Sequence, residues 1–473
     1  MTEVIAERTF VLADPVWFAE ASGDWNPIHV DAVQARRTIA GQVVVQGMFS
    51  LLWALESHVA TGGAVPHRLQ AFFRQPVFPG EGVELRRYTD AGETRLAMAS
   101  QTTELASFLL SGIGRPDETT LPAGRPAPAA AENKTLEDIK GASGNLKISA
   151  DVADLQHAFP SLVKSLGRLP IATILTCSRL VGMKCPGLHS LITGLDLTFA
   201  ERSESILEWH VVRMVSPLAP LSIDINGGGV TGHISAFVRP APVRQASMAE
   251  VVGLLSPTEF LGQRALILGG SRGLGELTAK LLASGGCDVL LSYQSGREDA
   301  ERIVTEVTLA GGQCRCFQFD ISRPEGLQQH VENWQPDLLF HYVTPRITKQ
   351  TFGQFNQALY KIFYDAYVTA YEAAVSELMA NVQHRLWTLY PSTVFADSAT
   401  EGFAEYAAAK KQGEIMCQSL QLRFPHFYAV IERFPRVATD QTMALIPQKT
   451  EPALHVMLGA IKGLAERMKA VKQ

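Results

Sequence analysis

The stretch Ser22-Gly23-Asp24-Trp25-Asn26-Pro27-Ile28-His29-Val30-Asp31 sets a carboxylate and an imidazole five positions apart, with Asn-Pro between them. Proline fixes its own φ and pushes the asparagine before it out of the α region, so the segment predicts a tight turn and not a helix. Such a turn can aim Asp24 and His29 at one point and hold a water molecule there, which is enough for general acid/base chemistry. The same residues also fit a solvated Asx turn with an idle histidine. Downstream, Met48-Phe49-Ser50-Leu51-Leu52-Trp53-Ala54-Leu55 is apolar all round, as a buried helix should be. Val83 to Tyr88 and Thr94 to Met98 alternate, with a turn containing Gly92 between them, which argues a hairpin. Residues 1–115 therefore predict a helix wrapped by an antiparallel sheet.

The Ser22–Asp31 stretch resembles the signature of the (R)-specific enoyl-thioester hydratases and dehydratases, the MaoC-like proteins of the hotdog fold. Phe18-Ala19 precede it as in that family; Ala35 and Val45-Gln46-Gly47-Met48 follow, with glutamine where the family has histidine. Phe73-Arg74-Gln75-Pro76-Val77-Phe78-Pro79-Gly80-Glu81 looks like the family's returning strand. The resemblance implies that Asp24 and His29 are the catalytic pair. It also makes the amide of Gly47, at a helix N-terminus, the oxyanion donor for a thioester carbonyl.

Length and composition set outer bounds. With 473 residues, 46% hydrophobic and 19% charged, the chain reads as a globular protein of several domains. A net charge of -5, a pI near 6.2 and the absence of a Lys/Arg cluster argue against a nucleic-acid partner. The six cysteines, at 177, 185, 287, 314, 316 and 417, show no metal spacing; Cys314 and Cys316 share one face of a predicted strand. Reduced thiols in a cytoplasmic protein follow. The N-terminus carries acidic charge and no long apolar run, so no signal peptide is expected, and no apolar window reaches membrane-spanning length.

From Pro116 to Lys134 the composition shifts to Pro122, Pro126 and Pro128 among Ala, Thr and Gly, and residues 116–145 read as a partly extended linker. Residues 146–245 then resemble a degenerate second hotdog. Ile171 to Gly182 resembles the family's central helix, Cys185-Pro186-Gly187-Leu188-His189-Ser190 follows, and Leu195-Asp196-Leu197-Thr198-Phe199 looks like the next strand. The acid-turn-histidine signature is missing here. Asp154 and His157 lie in the right region without Asn-Pro and read as structural, His189 is left with an open role, and this half is expected to complete the sheet and shape an acyl pocket.

The region 255–473 changes character. Ala265-Leu266-Ile267-Leu268 is a short apolar run that ends in Gly269-Gly270-Ser271-Arg272-Gly273-Leu274-Gly275, and a helical pattern follows from Glu276 to Ala283. Glycines in this context let the backbone approach a pyrophosphate whose charge sits at the helix N-terminus. The spacing resembles that of the short-chain dehydrogenase/reductases, with Leu268 in place of the usual threonine. Asp288 to Ser292 reads as the second strand and Cys316 to Asp320 as the third, and Asp320-Ile321 looks like the family's adenine contact. Tyr293-Gln294-Ser295 offers no carboxylate to a ribose hydroxyl, and Arg272 adds a positive charge, unless it is only a solvated loop arginine. The combination favours a 2′-phosphate, hence NADP (NADPH) over NAD.

The resemblance also implies the reductase's chemistry at Ser392, Tyr406 and Lys410. Tyrosine and lysine four apart share a helix face, and the lysine's charge is expected to lower the tyrosine pKa, so that the phenol can protonate a carbonyl oxygen as hydride arrives. Ser392, fourteen residues before Tyr406, is expected to bond the same oxygen. Tyr406, Lys410 and Thr439 complete the implied cofactor set with Gly269, Ser271, Arg272, Gly273, Leu274, Gly275, Asp320 and Ile321. The chain departs from the family at three further places. His341-Tyr342-Val343-Thr344-Pro345-Arg346 replaces its Asn-Asn-Ala-Gly, Phe363-Tyr364-Asp365 stands near its missing helix asparagine, and Pro435-Arg436 replaces its Pro-Gly. These departures imply a weakened proton relay and a reshaped nicotinamide pocket.

The expected architecture is an α+β double hotdog, antiparallel sheet around central helices, followed by an α/β Rossmann domain with a doubly wound parallel sheet. Together the parts imply a bifunctional enzyme of fatty-acid or polyketide biosynthesis. It would reduce a 3-oxoacyl thioester and dehydrate the 3-hydroxyacyl product, the acyl group riding on acyl carrier protein or coenzyme A. Hydration and oxidation in β-oxidation is the alternative, and a scaffold with one site inactive is another. A homodimer or tetramer without nucleic acid or membrane partners is expected.

Overall fold

The computed structural model describes all residues except 1, 91–92, 102, 116–118, 120, 201–203, 215–219, 324, 332–333, 346, 348–354, 381–383, 399–401, 445–447 and 473. Gly92, Pro116 and Arg346, named above, thus lie outside the described residues. The chain divides into two compact units, Met1–Ala241 and Pro242–Gln473.

The first unit is built on one antiparallel sheet. Its strands are β1 (Thr2–Thr9), β2 (Arg68–Phe73), β3 (Gly82–Asp90), β4 (Glu93–Ser100), β5 (Thr103–Ser111), β6 (Ser143–Lys147), β7 (Ser190–Phe199), β8 (Ile206–Arg213), β9 (Leu221–Gly227) and β10 (Val230–Val238). They lie in the order β1-β3-β4-β5-β2-β7-β10-β9-β8-β6. Read inward from either edge, the two halves show the same order, and they join where β2 pairs antiparallel with β7 from Arg68↔Thr198 to Phe72↔Gly194. Alternation explains the one-sided strands: in β8, Leu207, Trp209 and Val211 are buried while Glu208 and His210 face solvent. Helices Gly47–Ala60 and Arg168–Arg179 bury their apolar side chains in a single core with this sheet, and Met48 through Leu55 are all buried.

Three local features differ from the sequence reading. Residues Pro27–Val30 form one helical turn where a non-helical turn was expected. Asn26 stays extended, as its proline requires, and its Oδ1 accepts the Ile28 N–H at 3.2 Å, so Asn-Pro starts a helix as N-cap and first residue. The second half's helix gives way after Arg179 to a π turn, Leu180–Lys184. The stretch read as a linker packs onto the unit: Ala123 bridges Ala150, Asn133 bridges Gly187, Leu121 and Ile139 are buried, and β6 begins inside it at Ser143. Its few apolar residues find the core despite the proline-rich composition.

The second unit carries a parallel sheet of β11 (Arg264–Leu268), β12 (Asp288–Tyr293), β13 (Gln313–Gln318), β14 (Leu338–His341), β15 (Leu386–Thr393) and β16 (Phe427–Phe434). Their order is β13-β12-β11-β14-β15-β16, which reverses beside β11, the place where open α/β sheets bind ligands at their strand C-termini. The third strand ends at Gln318, so Asp320 and Ile321 lie in the loop beyond it. All six cysteines are free thiols. Among the described residues, no helix is long and apolar enough to cross a membrane.

Candidate functional site

Asp24 emerges where helix Ala13–Ser22 is closed by Gly23 in the left-handed region, φ +78°. A Cβ at Gly23 would stand 2.7 Å from Pro126 and 2.9 Å from Arg179, so the turn leading to the acid has no room for a side chain. Asp24 is buried; its Oδ2 accepts a hydrogen bond from Ser178 Oγ at 2.6 Å and its Oδ1 one from the Asn26 N–H at 3.3 Å. His29 Nδ1 lies 2.7 Å from the Val44 carbonyl oxygen. A carbonyl only accepts, so Nδ1 carries a proton, and in the neutral ring Nε2 presents a lone pair. Nε2 stands 4.0 Å from Asp24 Oδ2, too far for a direct bond and close enough for both to engage one atom between them.

Burial is the largest influence on both groups. It pushes the Asp24 carboxyl up, against the opposing effects of His29, Ser178 and the Asn26 amide. It pushes His29 down, against Asp24 and Val44, and Arg239 adds to the lowering. Burial thus acts on both side chains in favour of the uncharged form, and their mutual attraction opposes it.

The second half of the sheet closes this site. Asn26 Nδ2 donates to the carbonyls of Gly182 at 2.8 Å, Gly187 at 3.2 Å and Leu188 at 3.3 Å. A Cβ on Gly182 would stand 2.1 Å from Asp24 Oδ1. Gly47 opens helix Gly47–Ala60, where the first N–H groups lack an acceptor within the helix, and a Cβ there would crowd Ile192 at 3.1 Å and Phe73 at 3.2 Å. Gln46 is buried and donates through Nε2 to the Pro15 carbonyl at 2.9 Å, holding the helix start against the segment that bears Asp24. Asp154 is bound by Arg125 at 2.7 and 2.9 Å, and His157 lies in the last turn of helix Val152–Ala158. Half-buried His189 accepts the Arg239 N–H on its carbonyl at 2.7 Å.

In the second unit, the glycine loop follows β11. Gly269, at φ +78°, gives its N–H to Ser292 Oγ at 3.1 Å, and Gly270 donates to the Ser292 carbonyl at 2.9 Å. A Cβ on Gly275 would stand 2.4 Å from Gly269 O, so the helix must start against bare backbone. Gly273, at φ +58°, opens helix Gly273–Ser284, and a Cβ there would meet nothing within 4 Å. An open helix N-terminus with left-handed glycine fits a dinucleotide's pyrophosphate. Ser271 is buried in the same loop and Leu274 packs at the edge of the core.

The other proposed cofactor contacts sit as follows. Arg272 Nη1 is 3.7 Å from Asp440 Oδ2, so its charge is shared with an acid that the sequence reading did not foresee. Asp320 accepts from Ser322 N–H at 3.0 Å and Ser322 Oγ at 2.8 Å, which hold its carboxyl below the usual range, and Ile321 is buried. Thr439 caps the turn Asp440–Thr442.

Tyr406 and Lys410 share helix Ala404–Arg423. Lys410 is buried; its Nζ donates to the Pro391 carbonyl at 2.7 Å and lies 3.8 Å from the centre of the Tyr367 ring. Burial pulls its ammonium down to about 7. The Tyr406 phenol is pushed up by burial to about 12, and the hydroxyl of Thr393 is the hydrogen-bonding group that opposes the rise. The expected lowering of Tyr406 by lysine is thereby corrected: removal of water dominates both groups, and the ammonium is spent on Pro391 and Tyr367.

Ser392 is corrected as well. Its Oγ donates to Glu414 Oε1 at 2.6 Å, and Arg433 holds that carboxylate through two bonds of 2.7 Å. Neighbouring strand residues point to opposite faces, so Thr393 and not Ser392 meets Tyr406. Near the missing asparagine, Phe363 and Tyr367 pack edge-on to Tyr406 at 5.8 and 5.9 Å, while Asp365 pairs with Lys361. His341 is buried at the end of β14; Nε2 lies 2.9 Å from the Ala366 carbonyl, Nδ1 has no partner among the described residues, and burial pulls the ring to about 4.

A family model described as MaoC like domain matches residues 2–103, and one described as short chain dehydrogenase matches residues 263–426. The chain joins a MaoC-like dehydratase domain to a short-chain dehydrogenase domain. An uncharacterized oxidoreductase, YgfF of Escherichia coli, is 45% identical over 58 residues, 12% of this chain and 24% of that protein. The 3-oxoacyl-[acyl-carrier-protein] reductase of Synechocystis is 31% identical over 75 residues, 16% of this chain and 30% of the relative. The chain thus spans a minor part of these relatives' lengths. Among solved structures, a short-chain dehydrogenase of Burkholderia cenocepacia in complex with NADP shows 21% identity and a TM-score of 0.39, covering 44% of this chain and 91% of that one.

The dehydrogenase match includes the glycine loop, Tyr406 and Lys410. In the dehydratase domain, Asp24, His29 and Gly47 fall inside the matched residues, whereas Ser178, Gly182 and Arg239 fall beyond them. Those three, with Thr393, are the site residues that sequence reading missed. A serine, a glycine and an arginine more than 150 positions from Asp24 carry no local signal, whereas Thr393 sat one strand position from the residue chosen.

Proposed function

We propose that this chain is a bifunctional acyl-thioester processing enzyme, an NADPH-dependent 3-oxoacyl-thioester reductase and a (3R)-hydroxyacyl-thioester dehydratase giving trans-2-enoyl thioesters in fatty-acid or polyketide biosynthesis. Residues 1–115 and 146–245 form the two halves of a double hotdog, a reading supported by the mirrored strand order. Residues 255–473 form a doubly wound Rossmann domain, supported by the parallel order that reverses beside β11. The acyl group is carried by acyl carrier protein or coenzyme A, and the protein works in the cytoplasm as a homodimer or tetramer.

In the dehydratase pocket, the Gly47 N–H takes the thioester oxygen, which makes the C2 proton acidic. Neutral His29 accepts that proton at Nε2, and Asp24, kept protonatable by burial, gives one to the departing 3-hydroxyl, so water leaves as the C2–C3 double bond forms. Ser178 and Asn26 fix the carboxyl. In the reductase pocket, Gly269 to Gly275 take the pyrophosphate, Asp320 and Ile321 the adenine, Arg272 the 2′-phosphate, and Lys410 and Thr439 the nicotinamide half. Bound NADPH supplies the hydride. Tyr406, held by Thr393, delivers the proton to the carbonyl oxygen.

The observation that carries the reading is the Asp24–His29 approach at 4.0 Å, with the histidine's other nitrogen held by the Val44 carbonyl. A reading with an inactive reductase draws on the Tyr406 phenol near 12 and on the Ser392 hydroxyl bound to Glu414. Mass spectrometry of a 3-oxoacyl substrate on both carriers, with NADPH, separates them. Hydroxyacyl and enoyl products support the tandem enzyme; enoyl product formed only from supplied hydroxyacyl thioester supports the dehydratase alone; strong preference for NAD supports the degradative direction.

A further inference from the structure

Beside the Asp24–His29 pair stands a cation that the elimination does not use. Arg239 follows β10 and is 3% exposed. Its Nη2 donates at 2.6 Å to the Leu188 carbonyl, the same oxygen that Asn26 Nδ2 reaches at 3.3 Å, so the guanidinium shares an acceptor with the turn bearing the catalytic pair. Among the described residues its buried Nε has no hydrogen-bond partner, and neither has Nδ1 of the neighbouring His189. Among the described residues no carboxylate pairs with Arg239, and burial alone acts on its ionisation. Its field reaches His29 and His189, where it disfavours protonation. A guanidinium taken out of water ordinarily brings a carboxylate or phosphate with it, because its fork of donors is otherwise left unmatched.

We propose that Arg239 is a specificity residue of the dehydratase pocket that receives a carboxylate borne by the acyl chain of the thioester. The proposal rests on the dehydratase reading and adds its substrate class: enoyl and 3-hydroxyacyl thioesters of dicarboxylic acids. The phosphates of the carrier are the other source of anion. They lie a full pantetheine arm from the reacting carbonyl, whereas Arg239 shares an acceptor with Asn26, two positions from Asp24. A carboxylate brought against the unpartnered Nε gains a charge-assisted bond that a neutral acyl chain cannot make. No covalent step is added to the elimination.

The test compares hydration of crotonyl and glutaconyl thioesters by the full chain, each on coenzyme A and on phosphate-free N-acetylcysteamine. The carboxylated acyl group should be favoured roughly tenfold or more in kcat/KM, mainly through KM, on both carriers. Arg239→Gln should bring that ratio close to one, and Arg239→Lys should restore part of it. Equal use of both acyl groups by the wild type, a ratio that survives Arg239→Gln, or a preference seen only with coenzyme A would each overturn the proposal. If no thioester is turned over, the dehydratase reading fails on its own. Calorimetric titration with glutarate then still bears on Arg239: binding weakened roughly tenfold in Arg239→Gln supports the carboxylate site, and equal or absent binding in the wild type overturns it.

Discussion

The two candidate sites are assembled in opposite ways. The reductase's candidate proton-transfer groups are local: Thr393, Tyr406 and Lys410 all come from β15 and the helix that follows it. The dehydratase site is split. Asp24 and His29 come from one short stretch, while Ser178, which bonds the carboxyl, Gly182, which packs against it, and Arg239, whose charge reaches His29, come from the other half of the sheet. The half without the acid-turn-histidine signature thus supplies the wall and the hydrogen-bond donor of its neighbour's carboxylate. A local site tolerates drift elsewhere in its domain. A split site makes the unmotifed half as consequential as the motif.

The sharpest break of that comparison is Gly182→Ala. Its Cβ would overlap Asp24 Oδ1, so either the acid or the π turn must move, and crotonyl-thioester hydration should fall by about a thousandfold while NADPH-dependent reduction is unchanged. Steady-state rates for both reactions on one preparation check this; parallel losses would contradict a split site confined to the first unit. Tyr406→Phe is the converse. It should lower reduction by about two orders of magnitude or more and leave hydration intact.

Ser178→Ala sharpens the comparison further. Losing a hydrogen bond to a buried carboxyl should lower hydration by roughly ten- to a hundredfold. The Ser178 bond lowers the Asp24 pKa, so its removal raises that pKa further, and the pH at which Asp24 takes up its proton moves upward. The transition that Asp24 imposes on the pH–rate profile should then shift to higher pH than in the wild type, and an unshifted profile would deny Ser178 this role. The smallest effects separate two neighbours on β15. Thr393→Val, which removes the hydroxyl from Tyr406, should slow reduction by roughly tenfold, whereas Ser392→Ala should change it by no more than about threefold. A reversal of these two would return the role to Ser392.

Much of the molecule was legible in the sequence, and the reasons are physical. The apolar run Met48–Leu55 read as a buried helix because no face of it could meet water, and all of it is buried. The glycine loop read as an anion cradle because it lies between a short apolar run and a helical pattern, and Gly275 does start its helix against the bare backbone of Gly269. Asp24 and His29 could be expected to converge because only five positions with a proline between them separate the two, and they do approach to 4.0 Å. What the sequence could not settle was which groups meet across long separations, and what burial does to them. The partner of Asp24 stands 154 residues away, the face of β15 that meets Tyr406 depends on how the strand lies in its sheet, and the ionisation of Lys410 and Tyr406 follows from the water they lose on folding. Local pattern determined the elements and the motif; desolvation and long-range contact, which exist only once the chain is packed, decided how the sites are wired.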